Sequence, residues 1–380
     1  MSYPIAALVA TATATFLMGA TAAGAATVYT GDSIQGKKVI SSLDVDDLEP
    51  GKRHSFFFQG VQMGTGQHWY LPVVVAKGAK PGKKILLISG VHGDEVSPVD
   101  AVQRTMGALD PAQMSGTVTA VYDISRPAKE GTTRMWPAAQ WGGQLIDLNR
   151  VWPGNVDGGN APTRHAGMVF QRLFKPNADY ALDYHTAATG GDFTAFIFAK
   201  MHKPEVRAMA ELFPVEQIKN DPGYPGTLET SLVEAGIPAL TIEIGSPRSY
   251  DRRMIPLFVE GGLNVLKLHG VIPGAIGRTT KDAGTFHGDA FHTVRATHGG
   301  FLELLVDLRD KVTAGQKVAI QRNSFGEVVK EYTSGVAGEV STIQRDAMIE
   351  PGTRVMQILH DSPDPKCDDG CGEEAADYVE

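Results

Sequence analysis

The chain has 380 residues, 42% of them hydrophobic, enough for one large domain or two ordinary ones, which excludes disorder for its bulk. A formal net charge of -8 argues against nucleic acid as the main partner, because phosphate binding needs a basic stripe. It does not exclude a small anionic ligand, since a local arginine cluster can oppose the global sign.

The first basic residue is Lys37. Before it, Ile5 to Ala26 is an uncharged run of mainly small and apolar residues closing on Ala22-Ala23-Gly24-Ala25-Ala26. A secretory signal peptide over 1–26 is expected, with an uncleaved anchor as the alternative. No stable membrane insertion is expected after its removal, because no other run approaches the length a span needs. Residues 27–80 form an N-terminal β segment, with Ser55-Phe56-Phe57-Phe58 and Trp69 to Val75 rich in aromatic and β-branched residues.

From Lys83 to about 275 the pattern alternates. Strand-like runs at 84–91, 117–124, 180–184, 194–198 and 239–244 are separated by helix-like stretches at 96–109, 166–174, 204–212 and 255–269. Ser97-Pro98 reads as an N-cap and first-turn pair. Such alternation predicts an α/β fold with a mixed, mostly parallel sheet and helices on both faces, catalytic over 27–275.

Between 280 and 360 the helix signal fades and short strands alternate with Gly turns. Gly300-Phe301-Leu302 and Val312 to Ile320 match Gly338-Glu339-Val340 and Ile349 to Ile358 at an offset of about 38 residues. Two copies predict a quasi-symmetric module, a small all-β barrel or a flattened sandwich, similar to a biotinyl/lipoyl-type fold but without its lysine motif. Residues 361–380 are acidic and expected to be a solvated, disordered tail. The two cysteines, Cys367 and Cys371, lie in it and could pair.

Polar residues interrupt three of the apolar runs at their ends. Lys84 to Val91 ends in His92-Gly93-Asp94-Glu95, Tyr180 to Tyr184 ends in His185, and Ala239 to Ile242 leads into Glu243. Histidines and a glutamate at strand ends are a usual ligand set for catalytic zinc, with a further glutamate as base. His92 and Glu95, three apart, can face one ion, and Asp183 can orient His185. A carboxylate inside an apolar strand, as at Glu243, is costly unless paired or functional. The Asn149-Arg150 pair in Asp147-Leu148-Asn149-Arg150 can grip a carboxylate, guanidinium forks matching its geometry.

Together these motifs resemble the succinylglutamate desuccinylase/aspartoacylase family, a branch of the zinc carboxypeptidase-like hydrolases, over about 83–275. The resemblance rests on His92/Glu95, on Asp147–Arg150 followed by Trp152-Pro153-Gly154, on Asp183–Thr186, and on Gly236–Glu243, in that order. It implies one zinc per chain held by His92, Glu95 and His185, with Glu243 as base and Asn149 and Arg150 on a substrate carboxylate. It implies Arg134 at the oxyanion, with Arg126 a nearby competitor. The terminal tyrosine of related carboxypeptidases has two candidates, Tyr224 and Tyr250. The expected activity is amide hydrolysis of a carboxylate-bearing small molecule such as an N-acyl amino acid, in a secreted or periplasmic setting. The alternatives are an exported metallocarboxypeptidase acting on cell-wall or other peptides, and an inactive ligand-binding protein.

Overall fold

The computed structural model describes residues 26–372; the expected signal segment lies, but for Ala26, outside them. Eleven strands form one sheet. From edge to edge they are Val28–Ile34, Lys37–Ser42, Lys52–Gln62, His68–Lys77, Ser115–Val121, Lys80–Ser89, Tyr180–His185, Ala239–Ile244, Ala195–Ala199, Gln217–Asn220 and Phe286–Gly288. Pairing is mixed, with parallel neighbours at the centre, where Lys80–Ser89 lies between Ser115–Val121 and Tyr180–His185.

Central strands covered on both faces need apolar residues at consecutive positions. Ile85 and Leu87 face one core with Leu182, Leu240 and Ile242, against the helices Ser97–Gly107, Pro204–Ala210 and Ile255–Leu268. Leu86 and Ile88 face the other, with Ala181 and Ala239, against Ala161–Val169 with its continuation to Phe174 and against Leu228–Glu234. Ser97 does not cap its helix. Its hydroxyl donates to Ser249 O at 2.7 Å and accepts from Asp251 N at 3.0 Å, which ties the helix start to a distant loop.

The C-terminal strands do not close into a barrel. They form two sheets, one ordered Gly191–Phe193, Gly338–Gln344, Arg354–His360, Ala290–Arg295, the other Val328–Thr333, Lys317–Arg322, Gly300–Leu304, Met348–Ile349. The sequence repeat explains why. Its two copies occupy opposite sheets, and each lends a two-residue strand to the other: Lys311–Val312 pairs with Gly338–Gln344, and Met348–Ile349 with Gly300–Leu304. The result is the flattened sandwich.

The boundary near 280 is not a clean one. Phe286–Gly288 still belongs to the large sheet, and Gly191–Phe193 reaches out of the catalytic part to pair with Thr342–Gln344. Arg345 seals that junction on Asp192, with contacts of 2.7 and 3.0 Å. Residues 361–372, expected as the start of a solvated tail, pack against the large sheet. Cys367 is buried and bonded to Cys371, whose carbonyl accepts from the buried Lys219 Nζ at 2.7 Å.

Candidate active site

Parallel pairing places the motif ends together. His185 and Glu243 are register partners on adjacent strands, and Ser89, three residues before His92, is paired with Tyr184. All therefore gather at the carboxyl edge of the sheet, where open α/β sheets bind ligands. The His92–Glu95 turn is stitched down by its neighbours. Asp94 Oδ2 accepts from Thr189 N at 3.2 Å and Thr189 Oγ1 at 2.7 Å, and Lys129 Nζ donates to Glu95 O at 3.0 Å. Gly93 is required there, because a Cβ would collide with the Ala128 backbone.

His92, Glu95 and His185 are buried, and their donor atoms lie within 4.8 Å of one another. His92 Nδ1 is 2.8 Å from Glu95 Oε1, His185 Nδ1 is 3.0 Å from Glu95 Oε2, and the two Nδ1 atoms are 3.3 Å apart. Each ring's other nitrogen faces a carboxylate: His92 Nε2 lies 2.9 Å from Asp147 Oδ1, and His185 Nε2 lies 3.0 Å from Asp183 Oδ2. A carboxylate only accepts, so Asp147 holds a proton on His92 Nε2 and Asp183 stands within ion-pair range of His185 Nε2; an ion bound between the rings would replace the protons that both Nδ1 atoms present to Glu95 and leave their lone pairs on it. Two inward lone pairs and a carboxylate, each imidazole backed by an acid, suit a divalent ion. Burial would raise the Glu95 pKa, but the charges of His92 and His185 outweigh it and hold Glu95 well below the usual carboxylate range.

Asp147 does a second job. It caps the single turn Leu148–Arg150 by accepting from Asn149 N at 2.7 Å, which sets Asn149 and Arg150 on the pocket wall. Asn149 Oδ1 accepts from Leu228 N at 2.8 Å, Trp152 N donates to Gly226 O at 3.0 Å, and the Arg150 guanidinium lies 5.6 Å from the Tyr224 ring centre. Gly226 is held at φ +91°, with no room for a Cβ beside the Arg150 carbonyl.

Arg134 Nη1 lies 3.1 Å from Glu95 Oε1 and lines the pocket, whereas Arg126 pairs with Asp123 and Glu130 away from it. Of the two tyrosines, Tyr224 lines the pocket and Tyr250 is exposed elsewhere. Among the described residues Glu243 does not form the buried arginine pair that would make it structural. Its Oε2 has no hydrogen-bond partner, and burial, reinforced by the nearby Glu95 charge, pushes its pKa well above the ordinary value. A carboxyl held high beside a cluster that could hold a metal ion can take up and return a proton.

All seven expected residues, His92, Glu95, Arg134, Asn149, Arg150, His185 and Glu243, line one cavity of about 140 Å³. Phe193, Phe198, Asp221, Glu229 and Arg354 line it as well and were not legible in the sequence. Arg354 comes from the C-terminal sandwich. Glu229 stands in the first turn of Leu228–Glu234, where a first-turn acid ordinarily reads as favourable helix-end electrostatics.

Residues 81–269 match the model of the succinylglutamate desuccinylase/aspartoacylase catalytic domain. The chain is 28% identical over 323 residues to the N-alpha-acetyl-L-2,4-diaminobutyric acid deacetylase of Halomonas elongata, a match covering 81% of this chain and 89% of that protein. It is 23% identical over 208 residues to the succinylglutamate desuccinylase of Pseudomonas paraeruginosa, covering 49% of this chain and 59% of the relative. Among solved structures, a succinylglutamate desuccinylase/aspartoacylase from Rhodobacter sphaeroides superposes with a TM-score of 0.71 at 24% identity, over 84% of this chain and 99% of that one. The product-bound ectoine utilization protein EutE (DoeB) from Ruegeria pomeroyi does so with a TM-score of 0.71 at 23% identity, over 82% and 97%. These two share the fold. With the family model falling on the segment that carries the whole cluster, the chain belongs to the succinylglutamate desuccinylase/aspartoacylase family.

Proposed function

We propose that the protein is a zinc-dependent amidohydrolase that removes the acyl group from an N-acyl amino acid. The observation that carries this reading is the convergence of the His92, Glu95 and His185 donor atoms on one point, beside the unpartnered carboxyl of Glu243. The relatives support the substrate class: one is named for an N-acetylated diamino acid, the other for a succinylated glutamate.

A zinc ion held by His92, Glu95 and His185 would supply Lewis acidity, polarising the scissile carbonyl and easing deprotonation of a water. Glu243 receives that water's proton and delivers it to the departing amide nitrogen, so the carboxyl is regenerated as a base. Arg134, already turned toward Glu95, supplies positive charge where the carbonyl oxygen becomes anionic; one such donor is typically worth about 3 kcal/mol of barrier. Asn149 and Arg150 hold the substrate's carboxylate, and the Asp147 cap keeps both side chains on the pocket wall. Export is part of the reading and rests on the uncharged run Ile5–Ala26.

The test is elemental analysis of the purified chain combined with a substrate panel of N-acetyl-L-2,4-diaminobutyrate, N-succinyl-L-glutamate and short peptides. One zinc per chain and cleavage of an N-acyl amino acid are expected. Cleavage of peptides alone would replace the reading with a carboxypeptidase, and bound zinc with no turnover would replace it with a binding protein.

A further inference from the structure

The pocket wall next to the carboxylate clamp holds a carboxylate that the reaction above does not use. Glu229 is 6% exposed and lines the same cavity as His92, Arg150 and Glu243. Its Oε2 accepts from Thr230 Oγ1 at 3.0 Å, while its Oε1 is buried with no hydrogen-bond partner. Among the described residues no lysine or arginine reaches ion-pair distance of it; the buried Lys200 acts on it only from farther off. Asp221, the neighbouring acid on this wall, is already satisfied by Lys219 Nζ at 2.7 Å and by Gly223 N at 2.9 Å. The spare acceptor capacity on this side of the pocket therefore lies at Glu229.

Its position follows from the clamp. Leu228 N donates to Asn149 Oδ1, so the residue after Leu228 is set beside the group that holds the substrate's carboxylate. A side chain leaving the same α-carbon as that carboxylate would pass this wall. A buried carboxylate with an open oxygen is costly unless a donor meets it, and a charged donor meets it best.

We propose that Glu229 is a specificity-determining residue that receives a cationic group, such as an ammonium, on the side chain of the amino acid being released. The proposal rests on the deacylase reading and deepens it. It selects, within the N-acyl amino acids, those with a basic side chain over those with an acidic or uncharged one. Burial pushes the Glu229 pKa up to about 7, with Lys200 opposing and Asp221 adding to the rise, so an ammonium seated there would also keep the carboxyl ionised.

The test uses the full zinc-loaded chain and a matched pair, N-acetyl-L-2,4-diaminobutyrate and N-acetyl-L-norvaline, which differ by an ammonium in place of a methyl group. Wild type is expected to favour the ammonium substrate in kcat/KM by at least about tenfold, and Glu229→Gln, which keeps an acceptor for Thr230, to bring the ratio to about one. A wild-type ratio near one, or a Glu229→Gln variant slowed on both substrates with the ratio intact, would overturn the proposal. If wild type cleaves no N-acyl amino acid, the deacylase reading fails on its own, and calorimetric binding decides the proposal. Tighter binding of free L-2,4-diaminobutyrate than of L-norvaline, lost in Glu229→Gln, would support it, and equal binding would overturn it.

Discussion

Two carboxyls in the cavity have pKa values raised by burial. Their consequences differ. Glu243 stands beside the His92, Glu95 and His185 cluster with a free oxygen, so Glu243→Gln would remove the proposed proton carrier while keeping the shape. Turnover is expected to fall by about 10²- to 10⁴-fold with one zinc still bound per chain, read by single-substrate kinetics and elemental analysis. Normal turnover in that variant would displace Glu243 as the base. Glu229 gives a stability signature. Its folded-state pKa is about 7 against an ordinary 4.5, so the folded state keeps a proton that the unfolded chain releases as pH rises through that window. Stability is therefore lost between about pH 4.5 and 7, and Glu229→Gln abolishes the loss. The variant should equal wild type near pH 4 and exceed it by on the order of 3 kcal/mol at pH 8, measured by urea denaturation. A pH-independent difference would mean that Glu229 is not desolvated as the structure has it.

At the scale of elements, the strand Lys52–Gln62 is joined to the helix Ala161–Val169 through one imidazole. His165 is fully buried, accepts from Val61 N at Nδ1 across 3.3 Å, and donates from Nε2 to Ile124 O at 3.0 Å. Burial lowers its pKa to about 4, only partly offset by the Ile124 hydrogen bond. The folded ring stays neutral while the unfolded ring takes a proton below its ordinary 6.5, so stability falls as pH drops from about 6.5 toward 4. Between pH 7 and pH 5 this residue should cost on the order of 2 kcal/mol, and His165→Gln should flatten that part of the wild-type stability profile. An unchanged profile would show that other groups set the acid limb. Elements with strong periodicity, such as 180–184 and 239–244, appear where the sequence puts them, because strands covered on both faces must be apolar throughout. Ser97 does not cap its helix as its position in the sequence suggests, because a hydroxyl at a helix start can serve either its own backbone or a loop far along the chain, and only packing chooses.

For the whole molecule, the C-terminal sandwich is part of the catalytic unit. Leu359 packs with Ala187, Phe193 and Phe196, Phe291 lies against the same aromatic group, and Arg354 lines the active cavity. A chain cut after Asp289 would lose Phe291 and Leu359, bare Phe193 and Phe196, and leave Gly191–Phe193 without its partner strand. It is expected to bind a hydrophobic dye strongly and to lose most activity; a truncated form with wild-type thermal stability and turnover would refute that coupling.

The sequence by itself determined the α/β architecture, the β character of the C-terminal module and seven residues that the structure gathers around one cavity. Their signals are local: apolar runs of strand length, a repeat, and polar side chains breaking those runs at their ends. The tertiary structure decided what depends on distant partners. It put Arg134 and Tyr224, and not Arg126 and Tyr250, on the cavity wall, opened the barrel into two sheets, and bound the segment 361–372 to the large sheet. It also brought Glu229 and Arg354 to the cavity. Nothing near either residue in the chain marks it, because a side chain becomes part of a site through what surrounds it in space.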